Sequence, residues 1–501
     1  MSALASPDRP GGGPATVTAL GGALLLVLTV VSPLPMWVVM PAALAAAAFA
    51  AFHRVVLSWP ALVGVLVLFI LFLPMRRYTL PVNVGSFELE PYRVLVAFLL
   101  AGWLAMLLVS SEVRLRRTGL EGPIIAVGLA TVASVVVNYR AISGAGVTTD
   151  VVKSMTFFAS FFLVYLLVVN TIRPEQVLGL VELLVAGGTV LAALAIVEAR
   201  AGYNLFDHLA QLIPILQEHE LPDRAADLNG FERGGRLRVY GSAEHPIALA
   251  AALAMLLPLA IGLAAGRSRW WWVSAGVIAV AVLSTLSRTG VIMLVAIGAV
   301  FALMRPRETF RHWWVVIPAL MIVHLAIPNT LGIIKSSFFP QGGLIQDQQS
   351  SAGSKTAGGR LTDIGPVLDR VAEQPVLGVG FGSQVWRPGE PQAVGRDFAP
   401  DTSTRILDNQ WLGTLLETGV LGALAWIWLF RRFLMRVRRR AAADESAEAW
   451  VAVGIAAGVA AQMVAMFTYD AFAFVQATFI LFLLLAFGTL LSRPADRVAP
   501  S

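Results

Sequence analysis

Apolar residues run along this chain in long stretches separated by short polar punctuation, with two longer polar segments among them. Runs of about 17–22 apolar residues are long enough to cross a bilayer. Fourteen such runs are legible, at approximately 16–33, 36–52, 55–74, 92–110, 122–138, 151–170, 177–197, 245–265, 270–286, 288–304, 313–330, 409–430, 449–469 and 471–491. The separation is narrowest within 16–52 and at Ser287-Arg288, which alone parts two runs. The pattern predicts an all-α polytopic membrane protein of about 12–14 transmembrane helices. A single transmembrane domain, 16–491, would lie between tails 1–15 and 492–501.

Charge sets the orientation. With the N-terminus inside, the inner segments hold Arg9, Arg54, Arg114, Arg116, Arg117, Arg173, Arg267, Arg269, Arg305, Arg307 and Arg311. They also hold the six arginines between Arg431 and Arg440, then Arg493 and Arg497, which together make 19 of the 37 basic residues. Short cytoplasmic loops carry this excess, so both termini are expected in the cytoplasm. The other 18 fall outside or at outer helix ends, mostly in two loops, about 199–244 and 329–408. The first contains LFDHLAQLIPIL, whose Leu205, Leu209, Leu212, Ile213 and Leu216 recur at helical spacing, as in a helix lying on the outer membrane surface. The second contains Leu361, Ile364, Leu368 and Val371, the apolar stripe of another short amphipathic helix, ended by Gln374-Pro375. Between the two, Gln341–Gly359 is rich in Gly, Ser and Gln and reads as mobile.

Composition narrows the classes. The chain is 57% hydrophobic and 14% charged, where soluble domains carry about 25% charge. With no cysteine, disulfides, thiolate metal sites and cysteine nucleophiles are excluded, and six scattered histidines do not suggest zinc. The +6 net charge reads as topology and lipid-headgroup attraction, not nucleic-acid binding. Ser2–Thr16 is polar, so no cleavable signal peptide is expected.

Candidate chemistry collects at the outer face. In GGRLRVYGSAEHPIALAAAL, Arg236 and Arg238 precede a helix predicted to start near His245-Pro246. Arginines beside a helix N-terminus make an anion site, and guanidinium binds phosphate through paired hydrogen bonds. In LSTLSRTGVIML, Arg288 stands either at an interfacial turn or as a cation lining an outward cavity. The stretch Gly358–Gly419 opens on Arg360, passes through GVGFG, and closes on Asp408-Asn409 at the mouth of an apolar helix. The glycines allow close backbone approach, and the Asp-Asn pair suits an N-cap. Glu417 lies about two turns deeper and reads as either an arginine partner or a residue facing a wet cavity. Glu182 is a further acid inside a predicted span.

In order, these motifs are an arginine before a His-Pro helix start, TLSRTG, GGR followed by LGVGFG, and DNQWLGTLLETGVLG. Over roughly Gly234–Gly422 the chain resembles the O-antigen ligase and O-antigen polymerase family of bacterial membrane glycosyltransferases. The resemblance implies transfer of a glycan from a polyprenyl diphosphate carrier to a glycan or glycolipid acceptor, at the outer face of the bacterial cytoplasmic membrane. Carried over, Arg238 and Arg360 would bind the diphosphate, with Arg288 matching the SR motif. Asp408 stands where ligases of this family carry a histidine, and Ile247 replaces the Asn that commonly follows His-Pro. Ligase and polymerase therefore both stay open, with a slight tilt toward a polymerase or a ligase for another envelope polymer. No acidic metal cluster or cofactor motif is visible in the outer loops, so arginines are expected to stabilise the leaving diphosphate. Arg236, Arg288, His245, Asn409 and Glu417 complete the expected substrate site, and Asp408, Arg360 and Arg238 its catalytic part. The rival reading is a flippase for lipid-linked oligosaccharides or another transporter. Such proteins favour related halves and midplane charges, whereas here the polar groups gather at one face.

Overall fold

The computed structural model describes residues 58–81, 83–84, 87–109, 115–218, 232–233, 236–311, 314, 321, 325, 330–338, 364–382 and 407–493. The chain divides into two units, 1–65 and 66–501. Of the first, only 58–65 are described; everything below concerns the second. Predicted spans 16–33 and 36–52, and nearly all of 313–330, lie outside the described residues, as do Arg360 and the Gly/Ser/Gln-rich stretch.

Among the described residues the helices are α1 Trp59–Phe72, α2 Pro91–Val109, α3 Glu121–Val137, α4 Tyr139–Gly144, α5 Thr148–Thr171, α6 Pro174–Ala201, α7 Leu209–Leu212 and α8 Pro246–Gly266. They continue as α9 Trp271–Ser284, α10 Arg288–Met304, α11 Pro306–Arg311, α12 Thr330–Phe338, α13 Ile364–Glu373, α14 Gln410–Ala441, α15 Ala447–Ala465 and α16 Val475–Leu491. Six of these are long and apolar enough to cross a membrane (α2, α5, α6, α8, α14, α15), and five shorter apolar helices accompany them. The architecture is that of an all-α polytopic membrane protein. Three two-residue antiparallel pairings decorate the loops, one of them joining Tyr78–Thr79 to Gln217–Glu218.

The centre is α8, apolar on every face, and packed by α15, α9, α6, α10 and α16. A helix that is hydrophobic all round has no solvent face to offer and is buried. Small residues set how closely it packs: a Cβ on Gly454 of α15 would lie 2.4 Å from the Pro258 carbonyl oxygen. All of α16 is buried as well. Towards the other side, α2 and α3 leave Phe98, Leu108, Ile125 and Leu129 exposed, as helices facing lipid do.

The bundle has two chemically different ends. At one, arginines brace helix termini: Arg116 donates its backbone N–H to Asn170 and Arg436 reaches the Thr118 carbonyl. There too Arg305 donates to the Ala441 and Asp444 carbonyls at 2.7 and 2.8 Å and stacks over Trp450. Asp444, held by Ser446 and Arg440, has its pKa lowered to about 2. Glu182, expected as a buried acid, is instead partly exposed and pairs with Arg267 at 3.0 Å.

Three sequence expectations are corrected. LFDHLAQLIPIL forms no continuous helix but a 3-10 turn, Leu205–His208, followed by α7. Phe206 and Leu216 are buried while Leu205, Leu212 and Ile213 stay exposed. The helix predicted from Leu361, Ile364, Leu368 and Val371 exists as α13, but its buried face is Val367 and Val371, packed on Leu407 and Leu416, and Leu368 points outward. Spans 449–469 and 471–491 are not separated by a tight turn: an irregular segment, Met466–Phe474, lies between α15 and α16. Irregular backbone at this depth needs internal partners, and its partners build the site.

Candidate active site

Four helices begin around the Met466–Phe474 segment. His245 caps α8, its Nδ1 accepting from the Ile247 N–H at 3.0 Å, and its ring packs 5.7 Å from that of Phe474. An accepting Nδ1 leaves the proton of the neutral ring on Nε2. Asn409 caps α14, accepting from the Leu412 N–H at 3.1 Å. The cap is therefore Asn409, and Asp408 precedes the helix, half-buried. Glu244 caps α16 by accepting from the Val475 N–H at 3.0 Å. Arg288, also half-buried, opens α10.

Hydrogen bonds stitch these starts together. Gln410 donates its backbone N–H to the Met466 carbonyl at 2.8 Å and to that of Tyr469 at 3.1 Å, while its side chain accepts from the Phe472 N–H. Thr289 on α10 shares a 2.9 Å hydroxyl bond with Thr468. Arg238, only 4% exposed, donates Nε to the Thr285 carbonyl at 3.1 Å, in the turn that leads to Arg288. Arg238, His245, Arg288, Asp408 and Asn409 are thus brought to one end of the bundle, on backbone tied directly or through one neighbour. Arg236 lies in a two-residue strand, Arg236–Leu237, beside them, and its side chain is outside the described residues. Arg360 is outside them altogether.

The segment from Arg238 to His245 is held by residues that the sequence did not single out. Arg77, 6% exposed, donates to the Gly241 carbonyl at 2.9 Å and to that of Ala243, pairs with Asp207 at 3.1 Å, and lies over the Tyr240 ring. Tyr240 donates its hydroxyl to Asp207 at 2.6 Å, and Glu198 accepts from the Tyr240 and Gly241 N–H groups. Burial, then the bond to Asp207, raises the Tyr240 pKa. The signal available in the sequence was the Arg76-Arg77 pair in an outer loop, where topology demands no positive charge.

Across the site, the glycine-rich motif meets the break in α14. Val379 and Gly380 donate to the Leu416 and Glu417 carbonyls at 2.9 and 3.1 Å, and Val420 donates to the Pro375 carbonyl at 2.8 Å. Ser134 and Asn138 of α3 hold the same strap: Ser134 donates to the Glu417 carbonyl, and Asn138 to that of Gly378. Glu417, 3% exposed, therefore stands at the helix break and not at the helix mouth. Two polar residues four apart in VASVVVNYR were the trace of this contact.

Glu244 carries the most shifted outer carboxyl. Burial raises its pKa to about 7, with Arg76, 3.5 Å away, and the Val475 N–H acting against the shift. Burial alone would weaken the charge on Arg76; Glu244, Tyr92 and Glu90 outweigh it. An unfolded glutamate titrates near ~4.3. Between that value and about 7 the folded state binds the extra proton, so stability falls as pH rises through this window. Thermal unfolding in detergent across about pH 4.5–8 is expected to show that slope, and Glu244→Gln to flatten it. Among the described residues, no three His, Asp or Glu side chains gather closely enough to share a metal ion.

A family model described as O-Antigen ligase matches residues 273–427. The match runs from α9 into α14 and takes in Arg288, Arg360, Asp408, Asn409 and Glu417, while Arg238 and His245 precede it. It supports assignment to the O-antigen ligase family and a membrane glycan-ligase role in polysaccharide biosynthesis. No curated protein matches the chain.

Proposed function

We propose, from the O-antigen ligase match of residues 273–427, that this protein is a membrane glycosyltransferase using a polyprenyl-diphosphate-linked glycan as donor. The acceptor is a glycan or glycolipid at the outer face of the cytoplasmic membrane. The observation that carries this reading is the gathering of Arg238, Arg288, His245 and Asp408 at the end of the bundle opposite its arginine-braced face. A transporter needs its charges where access alternates; a transferase needs them where one bond breaks.

In the proposed reaction the acceptor hydroxyl attacks the anomeric carbon, and the carbon–oxygen bond to the diphosphate breaks. The bonding pair leaves on the diphosphate oxygen, where negative charge grows. Arg238 and Arg288, with Arg360, stabilise that charge by guanidinium hydrogen bonds. Asp408 takes the proton of the attacking hydroxyl. Direct displacement inverts the anomeric centre, and arginines supply the cationic help that a metal gives elsewhere.

The test is glycan transfer by the purified protein in nanodiscs, given a defined carrier-linked glycan and acceptor. Asp408→Asn keeps the shape and removes the base, and is expected to slow transfer by about 100- to 10,000-fold. Transfer at the wild-type rate would remove Asp408 from this role.

A further inference from the structure

We infer that Ser287 binds the donor: its hydroxyl, at the start of α10, donates to an oxygen of the carrier's diphosphate. The inference rests on the donor reading above and adds a neutral hydrogen-bond donor to it.

Ser287 is 3% exposed, and its Oγ is buried with no hydrogen-bond partner. A buried hydroxyl left unmade costs about 1–3 kcal/mol, so such a group in a folded protein needs a reason. Its position sharpens the point. Ser287 is the N-cap of a 17-residue helix, with φ −93° and ψ 123°, yet its side chain makes no capping bond. Serine at this place ordinarily accepts from an N–H of the first turn. Here those N–H groups keep their outward dipole, and the hydroxyl beside them stays unspent.

The surroundings hold Ser287 in place without satisfying it. Its own N–H reaches Thr285 Oγ1 at 3.3 Å, and Arg238 fixes the Thr285 carbonyl. Thr289, two residues on, is bonded to Thr468. Leu286, just before it, has φ 51°, a left-handed backbone that costs a non-glycine residue about 1–2 kcal/mol. An oxyanion answers each of these features: it accepts from a hydroxyl, from helix N-terminal amides and from a guanidinium at once. The diphosphate of the carrier is such a group, as is a phospholipid phosphate.

The experiment measures binding of glycan-free polyprenyl diphosphate to the protein in nanodiscs, together with donor and acceptor KM and the ligand-free thermal midpoint. Ser287→Ala is expected to weaken binding and raise the donor KM by about 10- to 100-fold, the worth of a hydrogen bond to a charged group. The acceptor KM should not move. Ser287→Thr keeps the hydroxyl and should keep binding. The ligand-free midpoint of Ser287→Ala should hold or rise, because an unsatisfied buried group has been removed; a fall would reveal a structural bond and overturn the inference. If Ser287→Ala binds like wild type while Arg238→Ala does not, Ser287 is dismissed and the donor reading stands. If neither variant changes binding, both are lost. A phosphatidylglycerol arm separates the two phosphate sources: equal competition by that lipid would assign the hydroxyl to a headgroup and overturn the carrier assignment.

Discussion

Arg238→Ala is expected to slow glycan transfer by about 100- to 1000-fold, the usual effect of deleting one preorganised donor to a developing anion. The side chain is almost fully buried and its Nε is anchored on the Thr285 carbonyl. Little reorganisation is therefore needed when the phosphate oxygen gains charge. Removing the side chain leaves the Thr285 carbonyl short of a partner, a stability cost of about 1–3 kcal/mol that the bundle should survive. Arg238→Lys separates charge from geometry. It keeps the cation but loses Nε and the planar fork, so most of the rate should still be lost. Initial rates with saturating acceptor, set beside thermal midpoints, read both effects. Wild-type turnover by a well-folded Arg238→Ala protein would end the clamp proposal.

The largest expected effect on stability comes from Gly419→Ala. Gly419 interrupts α14 with φ 66° and ψ −169°, a backbone state that side chains with a Cβ avoid. A Cβ there would lie 2.3 Å from the Val376 carbonyl oxygen, inside the strap that bonds to Leu416, Glu417 and Val420. Gly378 faces it from the other side, with φ 64° and a Cβ that would meet the Leu416 carbonyl oxygen at 2.3 Å. Strain and overlap together are expected to cost on the order of 3–5 kcal/mol. The half-helix that presents Asp408 and Asn409 should lose its support as well. Gly413→Ala is the control in the same helix, since its Cβ would have nothing nearer than 3.9 Å. Alanine there should be neutral or mildly stabilising. Equal midpoints for the two variants would mean that the strap does not hold the break.

The glycine motif shows what pattern alone can and cannot say. LGVGFG and ETG were legible as places of close approach, because only glycine allows it. That each is the partner of the other required the fold. The same holds for Arg238 and Arg288, some fifty residues apart, and for Asp408. Their residue types signalled anion chemistry, but their meeting depends on Gln410, Thr289 and Phe474 gripping one irregular segment. That segment, Met466–Phe474, was hidden because it is as apolar as the helices it joins. Hydropathy measures transfer to lipid and is blind to whether backbone bonds run within a helix or to neighbours. Arg77 and Glu244 escaped for a related reason: single charges in loops look like solvated surface until packing buries them.

By itself, then, the sequence determined the solvent: long apolar runs can be satisfied only in a bilayer, and within one their backbone must be helical. It also determined which residues could meet an anion. The tertiary structure alone decided which helix starts face one another, which carboxyl is pushed towards neutrality, and which hydroxyl is left without a partner. Those are properties of neighbours far apart in the chain, and no local pattern encodes a neighbour.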